Sequence, residues 1–257
     1  MKYQAVSGID RALSYIGLGT VKLGRDQGVK YPASFKIPSD KEAADLIALT
    51  KDLGVNVIDT APAYGQSEAR LGQLLKGQRD DWVIISKAGE NFENGESTFD
   101  FSAGAIEDSV KRSLKRLSTD VIDMLLIHSN GDDARLIEED DVFGTLSKLK
   151  QNGLIKTFGM SVKTVKGGEL TLKYADAAMI TLNPYDRECE SLLPLAERLG
   201  KAVLIKKAFA SGHAYAGDQR LTPAEIFQFL SAFSAITSVI VGTINPAHLR
   251  SNVRACF

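Results

Sequence analysis

One pattern limits what this chain can fold into more than any other: a short apolar run followed by a helix-like stretch, repeated eight times. The strand-like runs fall at residues 14–19, 56–59, 82–86, 121–127, 155–160, 177–182, 202–205 and 238–241. Most are short, apolar and β-branched, as strands buried on both faces tend to be. The stretches between them carry helix punctuation. Ser39 followed by Glu42 makes a capping box, with Leu46, Leu49 and Leu53 behind it. Ile106, Val110, Leu114 and Leu117 share one face of a helix that begins near Ser102, and Leu192, Leu195 and Leu199 repeat that spacing further on. Thr222 is an N-cap, with Pro223 first and Glu225 third in the helix it opens, and Asn245 with Pro246 starts another in the same way. Gly54, Gly77, Gly153 and Gly200 each sit between a helix and the next strand, where the chain must turn left-handed.

Eight units without a linker predict one domain over residues 1–257, an α/β fold in the form of a (β/α)8 TIM barrel. An open dinucleotide-binding sheet would carry a G-x-G-x-x-G turn after its first strand. The sequence there is Gly17-Leu18-Gly19-Thr20-Val21-Lys22, without the third glycine. The length of 257 residues and the 44% hydrophobic content suit one barrel with a filled core. Lys and Arg total 31 against 32 Asp and Glu, so nothing suggests a nucleic-acid footprint or a polybasic membrane anchor. The first residues lack a secretory apolar region, and no run approaches the ~20 apolar residues of a membrane span. Neither Cys189 nor Cys256 lies in a C-x-x-C pair, so a reduced cytoplasmic setting and no metal are expected, with a monomer as the default state. Two connections are long, 20–38 and 88–101, which marks them as candidates for function.

Barrels of this kind place their chemistry at the C-terminal ends of the strands. The polar residues there are Thr20, Asp59, Lys87, His128, Ser161, Asn183, Lys206 with Lys207, and Gly242 with Thr243. Tyr64 follows Asp59 in the same loop. Taken singly, each has an ordinary explanation: a capping aspartate, a solvated lysine, an interior histidine, a packing aromatic. Their convergence on one rim is what calls for chemistry. A phenol near pKa ~10 is a poor acid at neutrality. An adjacent Lys87 ammonium would favour the phenolate, and Asp59 would keep that ammonium charged. His128 would orient a carbonyl oxygen. None of these groups moves a hydride, so a cofactor must. His128 has no ligand partner on its own element, which disfavours a metal site.

At these residues the chain resembles the aldo-keto reductase family. Asp59-Thr60-Ala61, then Tyr64-Gly65-Gln66-Ser67-Glu68 and Leu71-Gly72, are similar to the family's longest signature. Ile85-Ser86-Lys87, Asp123 to His128, Gly159-Met160-Ser161, and Val241-Gly242-Thr243 through His248 to Asn252 are similar to its later motifs, in order. The resemblance implies carbonyl reduction of a small molecule with Tyr64 as general acid, tuned by Lys87 and Asp59, with His128 orienting the substrate. It implies NADPH as cofactor, NADH being possible, held by Gly19, Thr20, Asp59, Ser161, Asn183, Lys206, Lys207, Gly242, Thr243, His248 and Asn252. The chain departs from the pattern at Val162, where many members have asparagine, and at Gly242 and His248, where better-known members place Lys and Arg on the 2′-phosphate. With Phe257 just past the last helix, a long C-terminal substrate loop is not expected. Specificity would then rest on 20–38 and 88–101, with Tyr31, Phe35, Phe92 and Phe99 as candidate lining residues. Two other readings are a nucleotide-binding regulatory subunit with little turnover, and a barrel hydrolase or lyase using Lys87 as a Schiff-base amine.

Overall fold

The computed structural model describes residues 1–215 and 221–256; residues 216–220 and Phe257 lie outside them. Eight parallel strands close into a barrel: β1 (Ile16–Gly19), β2 (Val57–Asp59), β3 (Val83–Ala88), β4 (Ile122–His128), β5 (Ile155–Ser161), β6 (Ala177–Thr181), β7 (Ala202–Lys206) and β8 (Ile236–Val241). Each strand pairs with its neighbours in the chain, and β8 pairs with β1 to close the ring. Helices α1 (Asp40–Asp52), α2 (Ser67–Leu74) and α3 (Ala103–Leu117) link the first four strands. Two, α4 (Asp133–Glu138) and α5 (Val142–Gln151), separate β4 from β5. Then follow α6 (Val165–Tyr174), α7 (Leu193–Leu199), α8 (Pro223–Ser231) and α9 (Pro246–Arg254).

The capping signals act as their chemistry demands. Ser39 with Glu42, and Thr222 with Glu225, form reciprocal capping boxes on α1 and α8, and Asn245 accepts from two backbone N–H groups at the start of α9. Gly54, Gly77, Gly153 and Gly200 all take positive φ. One helix differs from expectation. Leu199 is exposed, and the inward face of α7 is made by Leu193 and Ala196, because Leu192 belongs to a preceding 3-10 turn and shifts the phase.

Strand alternation separates two apolar layers. Ile16, Leu18, Ile58, Ile84, Leu125 and Ile127 face outward and pack under the helices. Val57, Val83, Ile85, Met124, Leu126, Met179, Leu204 and Ile240 face inward and fill the barrel. The bottom is closed by Val6, Ile9 and Leu13, which join this inner cluster. They belong to an N-terminal hairpin in which Tyr3–Gln4 pairs antiparallel with Leu13–Ser14. The strand expected over 14–19 is therefore divided: Ser14 pairs in the hairpin, Tyr15 N–H donates to Lys2, and the barrel strand starts at Ile16.

The connection 88–101 is also not plain loop. Glu90–Glu93 and Glu96–Phe99 pair as an antiparallel hairpin about Asn94 and Gly95, at φ 53° and 87°. Two consecutive positive φ values are what a tight two-residue hairpin turn requires, and Asn-Gly supplies them at least cost.

Candidate active site

The inward phase of each strand continues past the apolar layer by one more residue. Two positions beyond Val57 stands Asp59; beyond Ile85, Lys87; beyond Leu126, His128; beyond Met179, Thr181; beyond Leu204, Lys206. A period of two thus delivers a polar ring to the top of a dry barrel.

Lys87 is 2% exposed and its Nζ donates to Asp59 Oδ1 at 2.6 Å and to the Thr60 carbonyl at 2.9 Å. Burial opposes its charge, but Asp59 and Tyr64 outweigh burial and raise its pKa, so it remains an ammonium. The same amine lies 4.8 Å from the centroid of the Tyr64 ring. That ring meets His128 edge-on, 6.1 Å between centroids. Burial drives the Tyr64 phenol above its ordinary pKa; Lys87 pulls it down, and Asp59 pushes with burial. The sequence expectation of a phenol brought below its ordinary value by Lys87 therefore gives the right sign for that one interaction but not the net direction.

The chain around Tyr64 explains its own motif. Gly65 has φ +60° and lies so close to the Gly24 carbonyl that a Cβ would stand 2.2 Å from it. Ser67 Oγ donates to Thr20 Oγ1 at 2.8 Å and accepts from Thr60 Oγ1 at 3.1 Å. Glu68 is fully buried and accepts from Ser86 Oγ at 2.7 Å. A Cβ on Gly72 would meet the Arg116 carbonyl at 2.1 Å. Gly, Ser, Glu and Gly here are the brace that holds one tyrosine over one lysine. Thr20 is spent in the same brace, its hydroxyl donating to the Asp59 carbonyl.

A cavity of about 730 Å³ opens over this ring. Asp59, Tyr64, Lys87 and His128 line it, as do Gly19, Thr20, Ser161, Lys206, Lys207, Gly242, Thr243, His248 and Asn252. Asn183 does not: its amide donates to the Lys207 carbonyl, and its oxygen accepts from the N–H groups of Tyr185 and Asp186. It shapes the loop that carries Lys207. Ser161 Oγ and the Val162 carbonyl accept from Lys206 Nζ at 2.8 and 2.7 Å. Burial, with Lys207 and Lys87 nearby, lowers Lys206 to about 7.

Of the four aromatics expected to line the pocket only Tyr31 does, packed edge-on by Phe35 and with Lys22 Nζ 3.9 Å over its ring. Phe92 lies under the Arg25 guanidinium, and Phe99 stacks on Phe101. Lining residues that the sequence reading did not single out include Lys22, Lys30, Lys163 and Thr181. Thr181 was accessible to the period-two argument; the lysines arrive on loops, which have no period to read.

His128 Nδ1 lies 2.6 Å from Oε2 of Glu90, another residue not anticipated. Burial acts to raise the Glu90 carboxyl, but His128, Ser97 and Arg25 outweigh it and hold it at about 2.

This fold and this rim define a class. The chain matches the model of the aldo/keto reductase family over residues 15–228, and it belongs to that family. Its members are oxidoreductases that act on small carbonyl compounds with a nicotinamide cofactor, and the chain is an enzyme of that kind. It superposes on a crystal structure from Pseudomonas aeruginosa described as an aldo-keto reductase, with 49% identity, a TM-score of 0.87, and 98% of this chain and 92% of that one covered. The oxidoreductase YqkF of Bacillus subtilis is 26% identical across 99% of this chain and 91% of its own length. The NADH-specific methylglyoxal reductase of Escherichia coli is 28% identical over 82% of this chain and 68% of its own. No helix among the described residues is long and apolar enough to cross a membrane.

Proposed function

We propose that the protein reduces aldehydes or ketones to alcohols, with Tyr64 delivering the proton to the carbonyl oxygen. The observation that supports this most directly is the single cavity shared by Tyr64, Lys87, Asp59 and His128, with Lys87 Nζ 2.6 Å from Asp59 and 4.8 Å from the Tyr64 ring. Asp59 holds the ammonium, the ammonium favours the phenolate left after proton transfer, and His128 sets the direction of the substrate oxygen.

The cavity fits a nicotinamide dinucleotide in size and charge. Lys22, Lys30, Lys163, Lys206 and Lys207 line it, against Asp186, Glu188 and an Asp59 already paired with Lys87. Gly242 is exposed at the rim, leaving backbone open to an approaching anion. Ser161, Lys206, Lys207, Thr243, His248 and Asn252 would hold such a cofactor, with Gly19 and Thr20 as part of the wall. When bound, the nicotinamide supplies the hydride that no side chain here can carry.

NADPH is the proposed nucleotide, on the strength of the surplus of cations. NADH is the second reading, because His248 and Gly242 place no guanidinium at the rim and one relative is named NADH-specific. Titration with each nucleotide, followed by a carbonyl panel with the tighter one, decides both points. Oxidation of the nucleotide by at least one carbonyl is expected. Tight nucleotide binding with negligible turnover across the panel would instead favour a regulatory nucleotide-binding role.

A further inference from the structure

We propose that Glu90 is a positioning residue: from its hairpin it fixes which nitrogen of His128 carries the proton, and so what His128 offers to the substrate. The inference rests on the carbonyl-reducing reading of the site, and adds a residue that its motifs do not contain.

The geometry is specific. Glu90 Oε2 lies 2.6 Å from His128 Nδ1, and Ser97 Oγ, on the opposite strand of the hairpin, donates to Glu90 Oε1 at 2.6 Å. Arg25 ties the hairpin to the loop that carries Tyr64: its guanidinium lies 3.3 Å over the Phe92 ring, and its Nη1 donates to the Ala63 carbonyl at 3.1 Å. The contact lies off the ring N–H axis, so it is a close charge contact and not an aligned hydrogen bond; a carboxylate at that distance still opposes a lone pair on Nδ1 and favours the proton there. His128 lines the cavity, and the nitrogen left to face it is Nε2. In the neutral ring Nε2 is an acceptor, suited to the O–H of an alcohol. It becomes a donor, suited to a carbonyl oxygen, only when the ring takes a second proton. Carbonyl reduction should then weaken as pH rises through the titration of His128, and alcohol oxidation should strengthen.

The groups that set that titration face the ring from several elements. Glu90 on the hairpin favours the imidazolium, while Lys87 on β3 and Lys206 on β7 oppose it. Tyr64 meets it edge-on from the β2–α2 loop. Burial is the largest influence and lowers the pKa.

Nitrogen-15 NMR of the whole chain, without cofactor, tests this directly. There are three histidines, and His128→Asn assigns the signal. The neutral ring should be the Nδ1–H form in the native protein. Glu90→Ala should shift it toward Nε2–H and lower the imidazolium pKa by about one unit or more. Glu90→Gln removes the charge and should also lower the pKa, and because its amide can turn either oxygen or NH2 to Nδ1 the tautomer is read from Glu90→Ala. A purely structural glutamate would leave both the tautomer and the pKa of His128 unmoved. A native Nε2–H form, or an unchanged tautomer and pKa in Glu90→Ala, overturns the proposal. No turnover enters the measurement, so its failure is distinct from a failure to find a reducible carbonyl.

Discussion

The two ends of the barrel interior are built from the same strands, two to four residues apart, and do opposite things. At the bottom, Val6, Ile9 and Leu13 seal a dry stack that includes Val57, Val83 and Leu204. At the top, Asp59, Lys87, His128 and Lys206 stand on those same β-strand phases and face a cavity. The bottom gains stability by burying apolar area; the top accepts buried charge, which is costly unless paired. Stability and chemistry are thus stacked along one axis, and a substitution should report on one or the other according to its height.

The largest test of that division is Tyr64→Phe. With Tyr64 as the proposed acid, its loss should reduce turnover about 10²- to 10⁴-fold, with nucleotide affinity and Tm nearly unchanged. Near-native turnover would remove Tyr64 from the chemistry. Next is Lys87→Met, which leaves Asp59 buried without its cation. Urea unfolding should show a loss of about 3–5 kcal/mol, part of it recovered when Asp59→Asn is added. Recovery by the second change would separate an unpaired charge from a packing defect. Leu13→Ala at the bottom should cost about 2–5 kcal/mol and leave kcat/KM intact at temperatures where the fold persists. A large kinetic effect there would mean that the two ends are coupled.

Smaller effects come from the hairpin. Gly95→Ala forces an L side chain to φ +87° and should cost about 1–2 kcal/mol locally, seen as faster hydrogen exchange over residues 90–99. The smallest concerns acid. In the fold, Glu90 is held at about 2 against an ordinary 4.5, so its contribution is fully present above 4.5 and is lost as pH falls toward 2. Glu90→Gln should flatten that part of the stability profile; an identical acid slope would show that the carboxylate contributes nothing to folding.

What the sequence could tell follows the same division. Barrel strands, caps and the glycine turns were legible because they have a period or a local chemistry, and Asp59, Lys87 and His128 fall on the strand phase. The hairpin went unread: 88–101 reads as a long connection, although Asn94-Gly95 is a turn signal. Its strands hold Glu90, Glu93 and Glu96, with no apolar alternation to announce them. Glu90 gained its place against His128 through that unseen hairpin, so its contact could not be read from spacing. Asn183 was placed correctly at the end of β6 but turned into its own loop, a choice made by backbone groups at 185, 186 and 207 that carry no side-chain signal.

The closing seam has a consequence for how the molecule is made. Ser238 Oγ donates to the Ser14 carbonyl across 224 positions of sequence, and β8 must pair with β1 before the ring exists. Loop closure over that distance comes late and slowly, because the entropy is spent before the contact rewards it. Until β8 is made, β1 to β7 cannot close, and any sheet they form keeps two unpaired edges. The nascent chain is therefore most prone to aggregate just before its final strand arrives, and a short C-terminal truncation that removes β8 should be far more damaging than its length suggests.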